Sequence, residues 1–272
     1  MTDIRTILRE AALMLGDRLE AELLLAHALG VDRAWFFAHA EDHFDEERIA
    51  GVEALLARRA KGEPVAYILG RRDFWSLSLE VTPATLIPRP ETELLVEQAL
   101  ARLPEGGRVL DLGTGSGAIA LAIASERPDA EVTAVDASAA ALAVARRNAR
   151  RLGLDRVFMT GSDWYSALGD RRFDVIVSNP PYVEAGDPHL VQGDLRFEPS
   201  SALASGPDGL DDIRRIAHGA RGSLTDGGWL LVEHGWNQAA AVRGIFISEG
   251  LVDAFTVQDL EARDRVTGAR AG

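Results

Sequence analysis

From Ile4 to about Lys61 the apolar residues recur at helical spacing, as in Ala21, Leu24, Leu25 and Ala28, and again in Ile49, Val52, Leu55 and Leu56. This pattern predicts a small all-helical domain of about four helices. After Gly62 the texture changes. Val65, Tyr67 and Leu69, then Phe74, Trp75, Leu77, Leu79 and Val81, read as strand-like alternation without a helical period, which predicts a short β-hairpin joining two domains. From Pro88 onward apolar runs alternate with amphipathic stretches. Strands are expected at 109–112, 132–135, 157–159, 175–177 and 229–233, and helices at 119–125, 139–152, 210–224 and 238–248. Such alternation makes an α/β fold, a doubly wound and mostly parallel sheet with helices on both faces. Two last strands, 254–258 and 265–268, have no helix between them and should form an antiparallel hairpin at the sheet edge. The expected organisation is a helical domain over 1–70, a hairpin linker over 71–86 and the α/β domain over 87–272.

Composition narrows the chemistry. The chain has no cysteine, which removes disulfides, thiolate catalysis and cysteine-ligated zinc, and no metal site is expected. No apolar window reaches the length of a membrane span or a signal peptide, so a cytoplasmic protein without a membrane partner is expected. A net charge of -13 repels phosphate backbones, and stable nucleic-acid binding is not expected. The best basic patch, Arg146 to Arg151, reads as the solvated face of a helix.

The segment Val109-Leu110-Asp111-Leu112-Gly113-Thr114-Gly115-Ser116-Gly117 runs from a buried strand through a glycine-rich turn into a helix. Glycines there let the backbone approach a ligand closely and turn N–H groups toward it. The next strand ends at Asp136, about 20 residues on, where a carboxylate can accept from two ribose hydroxyls. The unit is read as a site for an adenosine-containing molecule. Gly113, Gly115 and Ala118 also satisfy the looser dinucleotide pattern. S-adenosylmethionine is favoured by Asp111 before the first glycine, by Asp163-Trp164 after the third strand, and by the motif at the end of the fourth.

That fourth strand feeds into Asn179-Pro180-Pro181-Tyr182. A tetrapeptide at the carboxyl end of a parallel strand is expected to face the cofactor. An amide NH2 has two protons to offer, and the Asn179 side-chain oxygen and the Pro180 carbonyl can take one each, with Tyr182 walling the planar acceptor. These residues resemble the class I, Rossmann-like methyltransferases with a seven-stranded sheet, whose Asn-Pro-Pro-Tyr motif modifies planar amide or amine nitrogens.

Two groups within that class share the motif, the DNA adenine-N6 enzymes and the protein glutamine-N5 enzymes. The helical N-terminal region, Tyr67-Ile68-Leu69-Gly70, Ile87-Pro88-Arg89-Pro90-Glu91-Thr92-Glu93, Glu198-Pro199 and Asp208-Gly209-Leu210 resemble the release-factor-specific glutamine-N5 methyltransferases along nearly the whole chain. The stretch Pro90 to Glu93 fits that group better than the related enzyme acting on a ribosomal protein. The resemblance implies peptide chain release factors as protein substrate, with the glutamine of their Gly-Gly-Gln motif as acceptor. It implies cofactor contacts from Gly113, Thr114, Gly115, Ser116, Gly117, Asp136, Asp163, Trp164 and Asn179, and substrate contacts from Asn179 to Tyr182. His234 stands where the family often has an aliphatic residue, and as a strand-end histidine it is read as structural; Arg72-Asp73-Phe74-Trp75 is more charged than usual.

Overall fold

The computed structural model describes residues 3–43 and 46–272. Residues 1, 2, 44 and 45 of the helical region expected over 1–70 lie outside the described residues. The chain divides into two compact units, Met1–Arg71 and Arg72–Gly272.

The first unit is helical, with α1 (Ile4–Leu15), α2 (Arg18–Leu29), α3 (Trp35–Ala38), α4 (Glu46–Ala60) and α5 (Val65–Leu69). Its helix ends come from capping chemistry. The side chains of Asp3 and Asp17 accept from the N–H groups of Thr6 and Glu20, and Gly16 and Gly30 close the two helices in the left-handed conformation. Ile4, Leu8, Leu24, Leu25, Phe36 and Leu56 meet in its core. The segment Val65–Leu69 is helical, not the strand that its alternation suggested. The N–H of Ile68 bonds the carbonyl of Pro64, and left-handed Gly70 closes the turn onto Ala66 and Tyr67. Five residues make too few turns for a helical period to emerge above the β-prone Val, Tyr and Ile.

In the second unit the hairpin of β1 (Arg71–Phe74) and β2 (Leu77–Glu80) comes first. Trp75 in its turn holds a positive φ of 56°, fixed by its N–H donating to Glu93 (2.7 Å) and its indole N–H to Glu126 (2.7 Å). Next come α6 (Glu93–Leu100), β3 (Arg108–Leu112), α7 (Ala118–Glu126), β4 (Glu131–Asp136), α8 (Ala139–Arg151), β5 (Phe158–Gly161) and β6 (Phe173–Ser178). A long connection with three short 3-10 turns leads to α9 (Asp211–Ser223), β7 (Leu224–Glu233), α10 (Ala239–Ser248), β8 (Leu251–Gln258) and β9 (Asp264–Ala271).

The sheet has seven strands in the order β5-β4-β3-β6-β7-β9-β8, parallel through β7, with β9 antiparallel to both neighbours. This is the mostly parallel, doubly wound sheet expected from the alternation. Strand side chains alternate between two apolar layers. Val109, Val175, Val177 and Leu231 pack with α6 and α7, whereas Leu110, Ile176, Leu230 and Val232 pack with α9 and α10. Burial on both faces is why these strands read as continuous apolar runs. The strand order reverses between β3 and β6, and the crevice outside their carboxyl ends is where such sheets bind ligands. No helix among the described residues is long and apolar enough to cross a membrane.

The run Arg146 to Arg151 is more than a solvated face. Arg147 forms a bidentate pair with Glu80, Arg146 donates to the carbonyl of Met159, and Arg151 donates to that of Ser78. Asn148 between them is fully buried.

Candidate active site

A cleft of about 400 Å³ opens at the carboxyl ends of β3, β4 and β6. Its floor is the glycine turn after β3, where Gly113, Gly115 and Gly117 all hold φ between 58° and 88°. Gly117 is also confined by space, since a Cβ there would sit 3.0 Å from Leu121 and 3.3 Å from Ala145, whereas one on Gly113 would meet the Trp164 ring at an ordinary 3.6 Å. The N–H groups of Gly113 and Thr114 both donate to the carbonyl of Val135 (2.9 Å each), which locks the turn to β4.

Asp111 braces the turn from below. Its Oδ2 accepts from the Thr114 hydroxyl (2.6 Å) and the Ala120 N–H (3.2 Å), and its Oδ1 is buried without a partner. Burial pushes this carboxyl up to about 7. Asp136 lies on the cleft wall, where each oxygen accepts one N–H, from Gly115 (2.9 Å) and from Ser138 (2.8 Å). A carboxylate has lone pairs for more than two such bonds, so Asp136 keeps acceptor capacity toward the cleft. Burial holds it above the usual carboxylate range.

Beyond β5, Trp164 lines the cleft at a positive φ of 49°, its indole N–H buried with no partner. The neighbouring Asp163 is exposed and pairs with Arg215 of α9 (2.7 Å) at the cleft rim.

The acceptor loop is anchored at both ends. Ser178, fully buried, donates from its hydroxyl to the carbonyl of Leu112 (2.7 Å) and ties the end of β6 to β3. At the other end Gln238 donates to the carbonyl of Tyr182 (3.0 Å). Left-handed Gly209 packs so closely that a Cβ there would stand 2.2 Å from the same oxygen. Asn179, Pro180 and Pro181 line the cleft. The Asn179 Nδ2 donates to the Thr92 hydroxyl oxygen (3.0 Å), which leaves Oδ1, a buried acceptor with no partner, as the group this residue presents.

Tyr182 and Gly117 are placed differently from the other candidate residues, since neither lines the cleft. Gly117 caps α7. The Tyr182 ring packs against the α9–α10 face of the sheet core, and its hydroxyl donates to Glu233 Oε1 (3.2 Å); burial drives the phenol well above its ordinary range. Glu233 is itself buried, with its carboxyl pushed up to about 7 by desolvation. His234 is buried and satisfied on both ring nitrogens. One faces the Gly235 carbonyl (2.9 Å), which can only accept, so that nitrogen carries the proton and the other accepts from Thr267 (2.8 Å). Burial lowers its pKa, as suits a neutral structural histidine.

Three contributors are placed by long-range folding. Thr92 and Pro88 bring the stretch before α6 to the cleft. Glu198, whose side chain is wholly buried, accepts from the Ile87 N–H (3.1 Å) and pairs with Arg89, which draws the long connection after β6 onto that stretch. In the sequence Glu198 shows only as part of a motif shared with the resembled family, whereas Pro88 to Glu93 also reads as a helix start bordering the cleft.

The chain is similar to known proteins in sequence and in fold. Residues 90–197 match the methyltransferase small domain family, and residues 2–70 match the PrmC N-terminal domain family. Among solved structures, a methyltransferase from Pyrococcus furiosus superposes with a TM-score of 0.56 at 20% identity, over 79% of this chain and 97% of that one, a likeness of fold. The release factor glutamine methyltransferase of Xylella fastidiosa (strain 9a5c) is 59% identical over 93% of both chains. That of Pseudomonas aeruginosa is 53% identical over 98% of both. With more than half of its residues shared along nearly its full length, the chain belongs to the release factor glutamine methyltransferase family.

Proposed function

We propose that this protein transfers a methyl group from S-adenosylmethionine to the side-chain amide nitrogen of the glutamine in the Gly-Gly-Gln motif of peptide chain release factors, in the cytoplasm, and so tunes translation termination. The observation that carries the reading is the Asn179 Oδ1, buried, without a partner and turned from Thr92, in a cleft floored by a left-handed glycine turn.

The residues present fit the cofactor. Gly113, Thr114, Gly115 and Ser116 would hold its amino-acid end, Asp136 would accept from the ribose, and Trp164, whose buried indole N–H has no partner, would border the adenine with Asp163. Gly117 supports the cradle from the start of α7. When bound, S-adenosylmethionine supplies an electrophilic methyl group on a sulfonium.

The chain's task is to make an amide nitrogen, a poor nucleophile with a delocalised lone pair, present that lone pair in line. Asn179 Oδ1 and the Pro180 carbonyl each accept one proton of the substrate NH2. Pro181 stiffens the loop, and Tyr182 holds it from behind. Fixing reactants in line is worth up to about 7–11 kcal/mol in the intramolecular limit. The two acceptors also gain strength as the nitrogen turns positive, an interaction larger in the transition state than in the ground state. The product nitrogen then loses a proton that has become acidic, so no dedicated base is required. The helical unit Met1–Arg71 recognises the release factor beyond its reacting loop.

The test is incubation of the protein with labelled S-adenosylmethionine and a release factor, beside a Gln→Ala variant at its Gly-Gly-Gln motif and duplex DNA. Label confined to the intact factor supports the reading, label on DNA replaces it with adenine methylation, and label on neither refutes both. Asn179→Ala is expected to lower turnover about 10²–10³-fold, as removal of a transition-state partner does, with an unchanged circular dichroism spectrum. Near-normal turnover in that variant would defeat the mechanism.

A further inference from the structure

After β5 the chain turns through Ser162 to Ser166 and enters the core at Leu168. Ser162 closes this turn on itself, since its hydroxyl oxygen accepts from the Ala167 N–H (3.0 Å) and donates to the Trp164 carbonyl (2.7 Å). The Ser162 N–H donates to the Asp136 carbonyl (3.1 Å), which ties the entry of the turn to β4. Trp164 in its middle holds a φ of 49°, a conformation that a bulky residue keeps only where its surroundings impose it. The ring lines the cleft beside Gly113, and its buried indole N–H has no partner.

The surroundings that impose this conformation belong to α9. Asp212, Arg215, Ile216 and Gly219 are spaced three, four and seven apart from the first, on one face of that helix. Tyr165, which does not line the cleft, donates its hydroxyl to the Ile216 carbonyl (2.9 Å). Its ring lies against Gly219, where a Cβ would stand 2.3 and 2.5 Å from two ring carbons. That ring cannot swing aside, being held by the backbone at one end and by the hydroxyl at the other. Glycine weakens a helix interior, and here the closeness of the ring requires one. Arg215 adds an ion pair with Asp163 (2.7 Å) and stands 6.0 Å from the centre of the Trp164 ring. Both partners of that pair are more than half exposed, so water screens it and the Tyr165–Gly219 contact is the firmer link.

We propose that Tyr165, seated on Gly219 of α9, is a positioning residue for the cofactor. It holds the turn so that the neighbouring Trp164 stays left-handed, with its indole as the adenine wall of the cleft. A helix more than 40 residues further along the chain thereby sets the affinity for S-adenosylmethionine without touching it. The inference rests on the reading of Trp164 as that wall.

The experiment measures the dissociation constants of S-adenosylmethionine and S-adenosylhomocysteine by titration calorimetry in wild type, Tyr165→Phe, Gly219→Ala, Trp164→Ala and the double variant Trp164→Ala/Tyr165→Phe, with kcat and KM beside them. Tyr165→Phe is expected to weaken binding about fivefold, the scale of one neutral hydrogen bond. Gly219→Ala, which pushes the ring out of its place, should weaken it about tenfold, as overpacking does. Both ligands carry the same adenosine and should lose affinity alike. KM for S-adenosylmethionine should rise in step while kcat stays within about twofold, the mark of lost uniform binding. If Tyr165 acts through Trp164, adding Tyr165→Phe to Trp164→Ala costs nothing further. Wild-type affinity in Tyr165→Phe or in a folded Gly219→Ala, a loss confined to one ligand, a fall in kcat with affinity unchanged, or a full further fivefold in the double variant would overturn the proposal. Tyr165→Phe removes a single oxygen and decides the matter should Gly219→Ala fail to fold. Wild-type affinity in Trp164→Ala would instead overturn the reading of Trp164 beneath it, and this proposal with it.

Discussion

Asp111 and Glu233 are carboxyl groups with almost no access to water, and both are pushed up to about 7 by that burial. In the unfolded chain they ionise in the ordinary range, near 3.8 and 4.5. Between those values and about 7 the native state therefore binds protons that the unfolded state has released, so their contribution to stability is full below the window and is lost as pH rises through it. The steepest slope is about 1.4 kcal/mol per pH unit for each group. His234 acts oppositely below 6.5, because burial lowers its pKa, and arginine-paired surface carboxylates such as Asp129 act oppositely below about 3.8. Glu233→Gln isolates one share of the sum. The thermal midpoint of the wild type should decline between about pH 5 and 7.5 more steeply than that of Glu233→Gln, by the linkage just given. Parallel melting curves against pH would show that Glu233 is ionised in both states throughout.

Among the elements, α8 holds the glycine turn from the side, through Asn148. Its Nδ2 donates to the carbonyls of Ser116 (2.9 Å) and Glu80 (3.0 Å), and its Oδ1 accepts from the Glu80 N–H (2.7 Å). One fully buried side chain thus ties α8 to the β2 strand and to the turn that would carry the cofactor. Asn148→Ala leaves those backbone groups without partners and is expected to cost about 2–3 kcal/mol, hence roughly 5–10 °C in thermal midpoint, and to weaken S-adenosylmethionine binding. Calorimetry and cofactor titration check both; a stable variant that binds normally would remove Asn148 from this role. Asn148 also marks what sequence can and cannot display. The strand-helix alternation after Pro88 was legible because burial on both faces makes the strands continuously apolar, and the acceptor and glycine motifs were legible because each is local. The helix Val65–Leu69 was not, being too short to show its period. Glu198 and Glu233 were visible within motifs but without a role, because each meets a partner set by folding, Arg89 and Tyr182. Tyr182 was legible as part of the acceptor motif, yet its hydroxyl turns toward Glu233, a direction that only the register of β6 beside β7 determines.

At the scale of the whole molecule, a net charge of -13 sets a field that repels polynucleotides and leaves recognition of a protein partner to specific surfaces. Each unit has its own apolar core, built from residues between Ile4 and Ile68 in one and between Phe74 and Ala271 in the other. Every residue lining the cleft lies between Ala84 and Arg215. The cleft thus belongs to one unit, Arg72–Gly272. The helical unit exposes the apolar side chains of Leu13 (77%), Met14 (63%) and Phe37 (84%). Contacts remote from the reacting atoms contribute to the capture of a large substrate and are absent for a small one. A chain beginning at Arg72 is therefore expected to bind S-adenosylmethionine as the full chain does and to methylate a short Gly-Gly-Gln peptide at the same rate. On the intact release factor its kcat/KM should fall by about 100-fold, chiefly through KM, the mark of lost uniform binding. Full activity of the shortened chain on the factor would take recognition away from the helices. Equal losses on factor and peptide would mean that the helical unit serves the chemistry itself.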